Sequence, residues 1–186
     1  MKDKTVKDLM VSLSEYATVY EDETLFEALL ALEKAHEKLD PSKHRHRAIL
    51  ILDKKDQVVG KLSQWDVLKA IEPKYRKIED LDKISRAGFS PQFLKSMLVQ
   101  HTLWNKPLID ACRAGGKNKV KDVMYKPTEG EYINVTAPLG EAINQLVVGQ
   151  LLSLLVVDDE KNIIGILKLI DVFDEIFQTM KSCGIE

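Results

Sequence analysis

The sequence predicts an α/β (α+β) fold in which one strand-helix-strand-strand-helix unit is used twice, and three observations predict it. First, short motifs recur in the same order: "VKDLM" at 6–10 returns as "VKDVM" at 120–124, and "GKLSQWD" at 60–66 returns as "GILKLID" at 165–171. Second, each copy contains two apolar runs of strand length joined by a polar turn. Third, segments with helical spacing of apolar residues precede and follow these runs. A repeated order of this kind indicates two copies of one supersecondary unit.

In the first copy, the elements follow from residue periodicity and from turn residues. "YATVY" at 16–20 is a run of β-branched and aromatic residues, which favours a strand. Thr24 precedes a helical pattern, and Glu27 three residues later is typical of a capping box. "AILILD" and "VVGKL" flank the polar turn "KDQ" and predict a hairpin. The closing helix is predicted to begin near Trp65.

The second copy repeats these elements with different residues. "YINVT" at 132–136 predicts the first strand, and Pro138 suits the first turn of the helix that follows. "LLVVDD" and "IIGIL" flank the polar turn "EKN" and predict a second hairpin. The closing helix is predicted to begin near Ile170. The predicted domains are therefore 1–71 and 119–186.

Between the copies, residues 72–118 predict a helical insertion. Pro73 ends the preceding helix, helices are predicted over 74–85 and 90–104, and "PLIDACRAG" predicts a short third helix that ends at Gly115 and Gly116. These segments carry too many apolar side chains for a free surface, namely Phe89, Phe93, Met97, Leu98, Leu103, Trp104 and Leu108. Two roles stay open: the insertion covers its own module, or it contacts another subunit or a regulated protein.

Composition narrows the function classes. The 186 residues are 45% hydrophobic and 30% charged, with a net charge of −2, which predicts a globular protein without the basic face that nucleic-acid binding needs. No signal peptide or membrane span is predicted, so we expect a cytoplasmic protein. Cys112 and Cys183 lack partners at metal-binding spacing, and no metal site is predicted. No catalytic motif occurs, and we expect no enzyme activity.

The order, length and repetition of these units resemble the cystathionine-β-synthase domain, or CBS domain, over about residues 5–71 and 119–180. The pair resembles a Bateman module. This resemblance implies that the copies pack about a pseudo-twofold axis and that two modules form a homodimer. It also implies two clefts per pair, some of which bind adenine nucleotides or S-adenosylmethionine in the family.

The motif "GKLSQWD" matches the family's ribose motif at Gly60, Ser63 and Asp66. Ser63 ends a strand and Asp66 lies in the first helical turn, so a hydroxyl and a carboxylate face one cleft beside a helix N-terminus. A carboxylate accepts hydrogen bonds from both hydroxyls of a ribose diol. Lys61 of the same motif is assigned to this site. The alternative is that Ser63 and Asp66 only cap the helix.

Further ligand-binding residues are predicted beside this motif. The basic stretch "KHRHR" at 43–47 precedes a strand and resembles the γ subunit of AMP-activated protein kinase, in which a His and an Arg at the positions of His44 and Arg45 contact nucleotide phosphates. From this stretch we assign Arg45, His46 and Arg47 to the site. By the same resemblance, the adenine pocket is expected to include Ser12, Ala17 and Val19, whose role without ligand is packing.

In the second copy, Lys168 replaces the serine of the motif, although Asp171 keeps the place of the aspartate. Two outcomes stay open: Lys168 pairs with Asp171, or Lys168 reaches a ligand phosphate. An empty or altered second site is favoured.

Two hypotheses for the whole chain follow. In the first, it is a non-catalytic sensor that binds AMP, ADP, ATP or S-adenosylmethionine and signals to an unidentified regulated protein. In the second, it is a structural dimerisation module whose clefts are closed by side chains such as Trp65 and Lys168.

Overall fold

The computed structural model describes residues 4–72, 74–75, 92, 96 and 107–183. Apart from these isolated positions, the helices predicted over 74–85 and 90–104 lie outside the described residues, and so do the apolar side chains assigned to them. Within the described ranges, no helix combines the length and the apolar character that crossing a membrane requires.

The first half contains the predicted strand-helix-strand-strand-helix order, preceded by a short strand β1, Val11–Ser12. Thr24 caps α1 as predicted, because its Oγ1 accepts a hydrogen bond from the Glu27 backbone N–H at 3.2 Å and its own N–H donates to Glu27 Oε2 at 2.6 Å. The elements are β2 (Thr18–Tyr20), α1 (Leu25–Glu37), β3 (Ala48–Leu52), β4 (Val58–Ser63) and α2 (Gln64–Ile71).

The second half repeats this order after two short helices, α3 (Leu108–Gly115) and α4 (Val120–Val123). The helix predicted over "PLIDACRAG" is therefore present as α3. Pro138 is the N-cap residue of the following helix instead of lying in its first turn. The elements are β5 (Tyr132–Asn134), α5 (Leu139–Gly149), β6 (Ser153–Val157), β7 (Ile163–Lys168) and α6 (Leu169–Ser182).

The strands form one sheet in each half. The first sheet has the order β2-β3-β4 and the second the order β1-β7-β6-β5. Both predicted hairpins, β3-β4 and β6-β7, are antiparallel, while β2 and β5 pair in parallel with β3 and β6. The pairing register shifts at the same place in both hairpins, between Ile51 and Leu52 and between Val156 and Val157. The repeat thus extends from the motifs to the details of strand pairing.

The segment that precedes each half in the sequence packs into the core of the other half, so the two leading segments are exchanged. Val6 is fully buried in the core of the second half, and its backbone N–H donates to Ala137 O at 3.0 Å. Val120 is fully buried in the core of the first half, and its N–H donates to Glu23 O at 2.9 Å. Each half therefore depends on a segment that lies next to the other half in the sequence.

A small apolar cluster joins the two sheets. Leu50 of β3 and Leu155 of β6 hold equivalent positions in the repeat, and both are buried in this cluster with Tyr16 and Ile166. The cleft described below has Tyr16 on its wall, so it opens directly beside this contact between the sheets.

Candidate functional site

At the N-terminus of α2, Ser63 and Asp66 form a capping box. The Ser63 N–H and Oγ–H both donate to Asp66 Oδ2, at 2.8 and 2.6 Å, and Ser63 Oγ accepts from the Asp66 N–H at 3.3 Å. Within the described part of the chain, Asp66 Oδ1 makes no hydrogen bond. The capping role and a free acceptor oxygen therefore occur in the same side chain.

At the N-terminus of α6, Lys168 takes the place of the serine and is bound within the chain. Its side chain is buried, and Nζ donates a hydrogen bond to the backbone oxygen of His44 at 2.8 Å. Nζ also lies 3.2 Å from Asp171 Oδ2 and forms an ion pair with it. Burial raises the pKa of Asp171, and the charge of Lys168 partly opposes that shift. The pairing considered from the sequence is present.

Both helix N-termini line one cavity of about 1250 Å³. Its wall combines cationic, anionic and apolar side chains from the two halves, and it is wide enough for a nucleotide-sized ligand. The first half contributes Tyr16, Arg45, Arg47, Ala48, Lys61, Ser63, Trp65, Asp66, Leu68 and Lys69, and Tyr75 follows it in the chain. The rest of the wall includes Tyr125, Glu131, Ser153, Lys168, Leu169 and Phe173. Trp65 is 66% exposed and does not fill the cavity.

Arg45 and Arg47, for which the sequence predicts phosphate contacts, lie on this wall. Both are exposed, and neither guanidinium has a carboxylate partner within the described residues. An unpaired guanidinium in a cleft matches the geometry of a phosphate. Of the three residues assigned from the basic stretch, Arg45 and Arg47 therefore line the cavity.

The structure places His46, the third of these residues, away from the cavity wall. Its side chain is 1% exposed, its ring stacks on Tyr16 with centroids 4.1 Å apart, and the His36 ring meets it edge-on at 5.9 Å. Neither ring nitrogen of His46 has a hydrogen-bond partner among the described residues. Burial, helped by the charge of Lys168, lowers the pKa of His46 to about 4. His46 is therefore a neutral packing residue at neutral pH.

The three residues assigned to an adenine pocket also lie off the wall. Ala17 and Val19 are buried in the core of the first half. Ser12 belongs to the sheet of the second half, opposite Gly165, and its Oγ lies 2.8 Å from Ser14 Oγ. The exchange of leading segments explains the position of Ser12, since the resemblance to the family assigned residues 5–20 to the first copy as one piece.

Lys61 reaches the cavity wall, but its ammonium is already paired. Nζ donates to Glu131 Oε2 at 3.1 Å, and the Tyr125 hydroxyl donates to Glu131 Oε1 at 2.5 Å. Burial opposes ionisation of Glu131, but Tyr125, Lys61 and the Thr128 N–H together hold its pKa below the usual value. Glu131 was not found from the sequence, since no motif links it to Lys61, 70 residues earlier.

Two interlocked repeats with a charged cleft between them define a tandem-repeat module. The family model for the CBS domain matches residues 6–73 and 120–178. The chain therefore belongs to the CBS domain family. Comparison with curated proteins gave no match.

Solved structures with the same fold include complexes with nucleotides. CBSX2 in complex with AMP is 20% identical, with a TM-score of 0.57 over 95% of this chain and 98% of that one. The CBS domain of a bacterial CNNM/CorC family Mg²⁺ transporter in complex with ATP is 15% identical, with a TM-score of 0.59 over 95% and 89%.

Protein MJ1004 from Methanocaldococcus jannaschii is 18% identical, with a TM-score of 0.57 over 94% of this chain; the chain spans 60% of that protein. At these identities the likeness shows the fold alone.

Proposed function

We propose that this chain is a non-catalytic sensor that binds an adenosine-containing ligand in the cleft at the N-terminus of α2. The ligand classes are AMP, ADP, ATP and S-adenosylmethionine. The observation that carries the proposal is the shared cavity wall of Asp66, Arg45 and Arg47. AMP and ATP are the ligands in two of the similar structures above.

Each part of such a ligand has a chemical counterpart on this wall. Asp66 Oδ1 accepts from a ribose hydroxyl while Oδ2 keeps the capping box, and the helix dipole of α2 favours an anion beside it. Arg45 and Arg47 supply positive charge for phosphate. Tyr16 and Trp65 supply aromatic surface for a base.

The ligand is proposed to signal by differential affinity. Residues of both halves line the cavity, so a bound molecule contacts both and stabilises the arrangement in which those contacts are made. A regulated protein that prefers one arrangement then responds to the ligand, and by reciprocity its binding changes ligand affinity by the same factor.

A homodimer is part of the proposal. Four exposed apolar side chains of α2 and α6 line the cavity, namely Trp65, Leu68, Leu169 and Phe173, and two further ones on α6, Phe177 and Met180, are also exposed. The two helices are equivalent elements of the repeat, so the face they share has its own approximate twofold symmetry. A second copy of the chain matches such a face by an isologous contact.

Isothermal titration calorimetry of AMP and ATP tests the ligand proposal, after native mass spectrometry has established whether any ligand co-purifies. Asp66→Asn keeps an oxygen for the capping box and removes the charge, so we expect affinity to fall about tenfold. Asp171→Asn is the matched control at the equivalent position and is expected to change affinity less. Equal losses in both variants contradict the location of the site, and no binding by the wild type contradicts the function and favours a structural module.

A further inference from the structure

The stretch that carries both cleft arginines is held by the second half of the molecule. Lys168 donates from Nζ to the backbone oxygen of His44 at 2.8 Å. The His44 ring contacts the carboxylate of Asp174 on α6 through Nε2. Both contacts fix residues 43–47, here called the basic loop, to elements more than a hundred residues away in the chain.

Side chains of the basic loop alternate between anchors and exposed groups. His44 lies against α6 and His46 is buried on Tyr16, whereas Arg45 and Arg47 are exposed and line the cavity. A chain held at alternate residues has little freedom to turn the residues between them. The direction of the two arginines therefore depends on the anchors.

We infer that Lys168 and Asp174 are positioning residues, which hold the basic loop so that Arg45 and Arg47 face a phosphate bound at the α2 cleft. This inference rests on the proposed function. It explains the lysine in the second motif: instead of completing a second ribose site, the second half supports the first site. The ammonium is suited to this role because it is buried and its hydrogen bond to a carbonyl is charge-assisted.

Loss of an anchor is expected to affect binding of the phosphate and not binding of the ribose or the base. Arginine side chains held in place lose little entropy when a phosphate binds, whereas a mobile loop must be ordered at the expense of affinity. Ribose and base contacts at Asp66 do not pass through the basic loop. Loss of an anchor therefore weakens AMP and leaves adenosine, which has the same ribose and base, almost unchanged.

Calorimetry of AMP and adenosine with two variants tests this. Asp174→Ala is the first variant, because it removes both oxygens that can bind His44, and because the side chain is half-exposed its loss leaves no buried charge unpaired. Lys168→Met is the second, and Lys34→Met on the exposed face of α1 is the matched control for loss of a lysine. We expect about tenfold weaker AMP binding in the first two variants, with adenosine and the control within about twofold of wild type. Equal losses for AMP and adenosine, or no loss for AMP, overturn the inference.

Limited trypsin digestion tests the anchoring without any ligand. Cleavage after Arg45 and Arg47, mapped by mass spectrometry, is expected to be faster in Asp174→Ala and Lys168→Met than in wild type and Lys34→Met. Unchanged cleavage at these bonds overturns the inference. If the wild type binds neither AMP nor adenosine, the proposed function fails, and the digestion still decides whether the basic loop is anchored.

Discussion

Lys61 of β4 and Glu131, the residue before β5, form a buried ion pair that joins the two halves. Nζ and Oε2 are 3.1 Å apart, with only 12% and 6% of the two side chains exposed. The Lys61 backbone also exchanges hydrogen bonds with Tyr125, whose hydroxyl binds the same carboxylate. Lys61 was assigned to ligand binding from the sequence, and in the structure its charge serves the contact between the halves.

Lys61→Met is expected to lower the free energy of unfolding by about 3 kcal/mol, because Glu131 stays buried without its cation. Urea denaturation measures this. Lys54→Met is the control, since Lys54 is 84% exposed and its contact with Asp22 at 3.8 Å is a surface pair. A loss for Lys61→Met no larger than for Lys54→Met contradicts the structural role of the pair.

The glycines of the two repeated motifs are required by the exchanged segments. A Cβ at Gly165 would collide with the backbone oxygen of Val11, and a Cβ at Gly60 would collide with the thioether of Met124. A methionine side chain moves more easily than a strand backbone.

Both alanine variants should therefore lose about 1 to 3 kcal/mol of unfolding free energy, with Gly165→Ala losing more than Gly60→Ala. Gly140→Ala in α5 meets nothing within 4 Å and should be neutral or gain up to ~1 kcal/mol. Thermal or urea denaturation of the three variants gives the order, and a tolerated Gly165→Ala would contradict the close approach of β1.

The burial of His46 makes stability depend on pH. Its pKa is about 4 in the folded protein, whereas an unperturbed histidine in the unfolded chain has a pKa of 6.5, so between these values the unfolded state binds more protons. The stability from neutral His46 is complete above pH 6.5 and is lost as the pH falls toward 4, by at most about 3 kcal/mol.

His46→Phe keeps the aromatic stack on Tyr16 without the titration. We expect its unfolding free energy to fall less steeply than that of the wild type between about pH 7 and about pH 4.5, measured by urea denaturation at each pH. Parallel curves for the two proteins would show that His46 does not titrate in this way.

The proposed dimer is tested by multi-angle light scattering. Phe173→Asp places a charge on the exposed face of α2 and α6 and is expected to shift the dimer to a monomer, because a buried unpaired charge opposes association. Val148→Asp is the control, at a position on α5 that is 77% exposed and outside this face. A wild-type monomer, or equal effects of both variants, contradicts the interface.

The fold was predictable where local pattern and repetition decide it. The hairpins and the Thr24 cap follow from short-range residue chemistry, and the repeated motifs give the order of elements. The exchange of leading segments was not predicted, because Val6 and Val120 sit in nearly identical motifs and either half offers the same core position.

The site was predictable only in part, because its contacts join distant segments. Ser63 and Asp66 come together through a capping box whose partners are three residues apart, which sequence spacing specifies. The basic stretch around His46 predicted a ligand-contacting side chain, whereas the structure buries it. Its stack on Tyr16 depends on tertiary packing, which the local sequence does not specify. The bond from Lys168 to the His44 backbone spans 124 residues and carries no sequence signal.

Hydrogen-deuterium exchange of the wild type with and without AMP tests the central claim most directly, because it reports both binding and its place. The account predicts slower amide exchange in two separate segments, at 45–48 before and into β3 and at 63–66 at the start of α2, in the presence of saturating AMP. Protection confined to other segments would contradict a nucleotide site in this cleft. So would unchanged exchange throughout the protein at millimolar AMP, repeated with ATP and with S-adenosylmethionine.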